Sequence, residues 1–86
     1  MTEKTVKQVL VIAKYNHHEA LRVAAGLTLL NDQVHIDVLG ALADTPEINE
    51  QKDVLDFAEV PHETLTDGIV ARLAHDILAA DVVYLL

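Results

Sequence analysis

The chain has 86 residues, a formal charge of −8 and no cysteine, which rules out disulfides and any thiol or persulfide chemistry of its own. The basic residues Lys4, Lys7, Lys14, Arg22, Lys52 and Arg72 are scattered rather than striped. Neither a nucleic acid nor an anionic membrane is therefore an expected partner. No apolar run approaches the ~20 residues of a membrane span, and residues 1–8 are too polar for a signal peptide, so the expectation is an acidic cytoplasmic protein. At 51% hydrophobic in so short a chain, apolar surface is left to hide, and a homo-oligomer is expected.

Residues 9–13, Val-Leu-Val-Ile-Ala, read as a strand covered on both faces. A turn through Tyr15 follows, and residues 19–30 read as a helix with Asn16 as N-cap and Glu19 completing a capping box. Its apolar positions include Leu21, Ala24, Ala25, Leu27, Thr28 and Leu30, more than one stripe wide, so it is expected to be covered on two sides. Asn31 and Asp32 end it. Val34, Ile36 and Val38 then alternate with His35 and Asp37 in a second strand closed by Gly40.

Thr45 and Pro46 start a second helix that runs to about Ala58, with a narrow stripe of Ile48, Leu55 and Ala58 that places it on the surface. Residues 60–64, broken by Pro61, allow only a short or edge strand. Thr66, Asp67 and Gly68 cap a third helix whose stripe is Ile69, Val70, Leu73, Ala74, Ile77 and Leu78, with Arg72, His75 and Asp76 off it. Residues 81–86 form a last apolar strand. The order βαβαβαβ predicts one domain, a three-layer α/β/α sandwich on a mainly parallel four-stranded sheet. The first and last strands, being the most apolar, are expected at its centre.

In open parallel sheets ligands gather at the carboxyl ends of the strands. There the chain offers Asn16, His17, His18 and Glu19 at a helix start, with Asp44 and Thr66 on neighbouring loops. Adjacent histidines point apart, and paired helical ligands want a spacing of three or four residues. A metal site of His17 and His18 within one chain is therefore not expected, although a subunit interface could complete one. His35 beside Asp37 fits either a tuned acid–base pair or, as the simpler expectation, a strand face turned to water or a wet contact. His62 with Glu63 and His75 with Asp76 are expected to be solvated. The chain has three glycines and no nucleophile elbow, Walker loop or dinucleotide fingerprint. No cofactor is expected, and an enzyme using His17 or His18 as acid or base is the weakest reading.

The run Gln8-Val9-Leu10-Val11-Ile12, the helix over residues 20–30, and Val34-His35-Ile36-Asp37-Val38-Leu39-Gly40 resemble the opening of DsrE/DsrF-like proteins. These are small α/β proteins of the sulfur-relay type. Residues 73–86, with Ala79-Ala80-Asp81-Val82-Val83, are similar to that family's close. The resemblance implies the fold, an oligomeric habit and a sulfur-relay protein as partner. It does not imply the activity, since active members bear a persulfide-accepting cysteine in the second half, and the segment between Gly40 and Thr66 looks shortened. The expectation is a non-catalytic oligomeric scaffold or partner subunit, its contact made by Leu21, Ala24, Ala25 and Thr28. The alternative is a small-ligand or metal-binding module built on the His17–His18 loop.

Overall fold

The computed structural model describes residues 7–30, 33–66 and 68–86, without the side chain of Leu30. The polar start with Lys4, the helix-ending Asn31 and Asp32, and the capping Asp67 lie outside the described residues. The elements are β1 (Gln8–Ala13), α1 (His17–Leu27), a 3-10 turn (Thr28–Leu30), β2 (Gln33–Leu39), α2 (Pro46–Phe57), β3 (His62–Leu65), α3 (Ile69–Ala79) and β4 (Val82–Leu85).

All pairings are parallel and the sheet order is β3-β2-β1-β4. Right-handed crossovers fix the layers. The first two step in one direction, so α1 and α2 share a face and pack on each other. The third returns past β1, which puts α3 on the opposite face. The α/β class and element order are as the sequence implies. The first and last strands are neighbours, but β4 lies at the edge rather than the centre. Its apolar run is not matched by cover: Val83, Tyr84 and Leu85 are 40%, 39% and 56% exposed.

The main core lies between the sheet and the α1–α2 layer, where Val9, Val11, Val34 and Ile36 meet Leu21, Ala24, Ile48 and Leu55. Leu21 and Ala24 are fully buried there, Ala25 packs against that cluster, and the Thr28 hydroxyl donates to the Ala25 carbonyl at 2.6 Å. Leu21 and Ala24, half of the expected oligomer contact, are thus taken up by the chain's own core, while Ala25 and Thr28 are half-buried. A helix apolar on two sides can be covered by its own sheet and a neighbouring helix, and α2 supplies the second cover.

Local chemistry sets the element ends. The Asn16 side chain accepts from the Glu19 backbone N–H at 3.1 Å, and α1 begins at His17, two residues earlier than the capping-box reading. Thr45 caps α2 in the same way, its hydroxyl accepting from Ile48 N–H at 3.2 Å. At the far end of α2, Val60 N–H donates to the Leu55 carbonyl and Glu59 N–H to that of Asp56. This is a Schellman turn, and Glu59 occupies its left-handed position at φ 59° where glycine is usual. The N-cap of α3 is Gly68, also left-handed, with no side-chain cap bond; Thr66 does not fill that role.

Candidate functional site

At the carboxyl end of the sheet, the crevice between β1 and β4 is the point where the chain reverses direction, the usual ligand position in this architecture. Here it is closed by backbone bonds: Lys14 and Tyr15 N–H both donate to the Leu86 carbonyl at 2.8 Å. The candidate residues around it are held locally. His17 Nε2 donates to the Leu39 carbonyl at 2.9 Å, tying α1 to the end of β2. Glu19 accepts from Arg22 at 2.9 and 2.6 Å, and that hydrogen-bonded guanidinium holds its carboxyl below the usual range. Asp44 accepts from the Asn49 amide at 2.8 Å. Thr66 follows β3, two strands from β1 and so ~10 Å away. His18 alone of the loop's ring and carboxyl groups is both exposed and without a described side-chain tie.

A denser polar cluster lies on the other face of the sheet, beneath α3. Strand alternation turns His35 and Asp37 away from the main core, and β2–β3 register sets Glu63 directly beside Asp37. From above, α3 brings Arg72 and Asp76, one turn apart. His35 Nε2 donates to Asp37 Oδ1 at 2.9 Å and lies 3.9 Å from Asp76 Oδ2. Arg72 Nε donates to Asp76 Oδ2 at 3.3 Å, and its guanidinium forms a fork on Glu63, one bond being 3.0 Å.

Asp37 is the centre of this cluster and is completely buried. As a carboxylate, its Oδ2 has no hydrogen-bond partner among the described residues. As a carboxylic acid, it donates to Asp76. Burial first, and then the facing Asp76, raise its pKa to about 6, with His35 opposing. Asp76 is held low, chiefly by the bond from Asp37. Below about pH 6 one proton is thus held between the two carboxylates, mainly on the drier Asp37.

The expectation of a wet face is overturned for Asp37, which is buried, while His35 stays half-buried; solvation holds for Glu63, whose side chain is 44% exposed, but not for Asp76 at 12%. His75 remains largely exposed, while His62 reaches Asp56 at 2.8 Å. The sequence carried a signal in the i, i+4 pair Arg72 and Asp76, which shares one helix face and matches the His35–Asp37 face of β2 in charge. The cavities also fall elsewhere than expected, at the amino ends of the strands. One of about 120 Å³ is lined by Gln8, Leu10, His35, Asp76 and Ala80, and one of about 460 Å³ includes Gln33, His35, Glu59 and Pro61.

Fold and cluster together define a doubly wound parallel α/β domain with a buried carboxylate, Asp37, facing a part-exposed one, Asp76, under α3. No family model matches the chain, and no curated protein sequence does. Among solved structures it is similar in fold to the crystal structure of yeast ynu0, YNL200c, at 22% identity and a TM-score of 0.62 over 77% of this chain. The chain spans 28% of that protein's length, and the likeness is one of fold.

Proposed function

We propose that the chain is a non-catalytic, DsrE-like assembly module of the cytoplasm. It pairs with a second copy of itself through α3 and β4, and in that form serves as scaffold or partner subunit for sulfur-handling proteins. The observation that carries the reading is the state of α3: among its residues none is buried, although its sequence is strongly apolar. Val70 and Leu78 are 83% and 86% exposed, and on the adjoining strand Val83 and Leu85 stand open. β4 has a neighbour on one side only, so its outer backbone groups can continue the ladder into another strand.

Charge favours a second copy as the occupant. Two chains of −8 repel, and α2 presents Glu47, Glu50, Asp53 and Asp56 against a single Lys52. The span from α3 to the end of β4 carries only Arg72, Asp76 and Asp81 as formal charges. Like-charged copies meet at least cost there, and a two-fold axis along β4 would pair identical edges. The family reading is supported by the Leu39-Gly40 close of β2 and by Ala80-Asp81 leading into β4. Lacking cysteine, the chain would take part in a relay by binding, not by carrying sulfur.

Sedimentation equilibrium at micromolar concentration tests the assembly. A dimer or larger species is expected for the unaltered chain, and monomers with unchanged far-UV circular dichroism for Leu78→Glu combined with Leu85→Glu. A strictly monomeric unaltered chain, or a variant that still assembles, contradicts the proposal.

A further inference from the structure

We propose that His35, Asp37 and Glu63, with Asp76 alongside, bind one divalent transition-metal ion of the zinc or manganese class. One ligand atom from each of the first three lies within 4.8 Å of the others. Ligands around a tetrahedral zinc ion stand ~3.3 Å apart, given bonds of about 2.0–2.1 Å. The cluster therefore needs to contract by up to ~1.5 Å, and Glu63 sits on an edge strand with a half-exposed side chain that can move.

Three independent features point to a cation rather than to acidic surface alone. Asp37 Oδ2 is completely buried and, in its ionised form, lacks any donor. A buried carboxylate demands either its proton or a positive partner. Arg72 gives its hydrogen bonds to Glu63 and Asp76, and His35 reaches only Oδ1, so neither serves Asp37 Oδ2. Finally, the donor set is one imidazole nitrogen with two or three carboxylates, which suits manganese or zinc better than calcium or magnesium with their all-oxygen shells.

Arg72 is the competitor the ion must displace. It and Glu63 are 40% and 44% exposed, and water screens a pair so open that it contributes little. Glu63 can therefore turn from the guanidinium to the ion at small cost. Asp76 remains on Arg72, which holds it in place beside the site. For ligation, His35 places its proton on Nδ1 and offers Nε2, the nitrogen already aimed at Asp37. The site lies on the β2–β3 side of α3 and the assembly surface on the β4 side, so ion binding and self-association are read by separate measurements.

Isothermal titration of tag-free, chelator-stripped protein with zinc chloride and with manganese chloride at pH 7.5 tests the site, with magnesium chloride as control. The expected result is one zinc or manganese ion per chain and a rise in the thermal midpoint. Asp37→Asn and His35→Gln, each checked for fold by circular dichroism, should weaken binding at least tenfold. The double variant His17→Ala, His18→Ala and the single variant His62→Ala should leave it unchanged. Absence of both heat and midpoint shift for the two transition ions overturns the proposal. So does binding that survives Asp37→Asn, or that disappears with the loop histidines.

Discussion

Replacing Asp37 by Asn, with a chelator present throughout, isolates what it costs to ionise a carboxyl group beneath α3. The substitution keeps the shape: the amide nitrogen can donate to Asp76 while the oxygen still accepts from His35. Burial and the facing Asp76 raise the Asp37 pKa from 3.8 to about 6. At about 1.4 kcal/mol per pH unit, full ionisation costs the fold on the order of 3 kcal/mol. A folded-state pKa above the unfolded one means that the folded chain binds the proton more tightly. The stabilisation is therefore complete below pH 3.8 and is lost as the pH rises through about 6. Asp76 has the opposite sign, since its folded pKa is lowered, and its contribution is lost as the pH falls. The other groups facing Asp37 are His35, Glu63 and Arg72. Urea unfolding at pH 4 and pH 8, at constant ionic strength, gives the comparison. The stability advantage of Asp37→Asn over the unaltered chain should be larger at pH 8 than at pH 4 by about 2 kcal/mol. Equal differences at the two pH values would refute the account of a buried, proton-sharing pair.

Four further substitutions probe the rest of the fold. Leu55→Ala removes a fully buried side chain where α2 meets the core and should cost about 2–5 kcal/mol in urea unfolding. Glu59→Gly relieves a left-handed residue in the turn after α2 and should stabilise by roughly 1 kcal/mol; a loss of stability would mean that the Glu59 side chain contributes more than its backbone costs. His17→Ala should lower stability by about 1 kcal/mol through the lost bond to Leu39, whereas His18→Ala should leave it unchanged.

The order of elements was legible because each start or strand face had a local cause: Asn16 and Thr45 as caps, and the alternation of Val34, Ile36 and Val38. The position of β4 was not. An apolar run states that a strand will be covered, but not by what, and Val82, Val83 and Leu85 read the same whether the cover is another strand, a helix or a second molecule. The same ambiguity misdirected the oligomer contact. Leu21 and Ala24 were apolar enough for either use, and the right-handed path of the second crossover, which brings α2 onto α1, decided for the core.

The site was missed for a related reason. Local sequence showed His35 beside Asp37, and separately Arg72 a turn before Asp76, but only the third crossover brings the two pairs together. Once α3 crosses that part of the sheet, Asp37 cannot reach water, and the helix must present its polar side to meet it. The apolar stripe then turns partly outward, which explains why Val70 and Leu78 are exposed on a helix that should bury them. The two unusual features of the molecule are thus one. A buried carboxylate on β2 is met by the polar side of α3, and that orientation leaves exposed the apolar flank that the proposed assembly would cover. It follows that Asp37→Leu, which makes the sheet face apolar, should favour rotation of α3 and bury its stripe. The assembly should weaken although neither Val70, Leu78 nor β4 has been altered, and sedimentation of this variant beside Asp37→Asn measures that coupling. Equal association of the two variants would separate the cluster from the surface and remove the link between them.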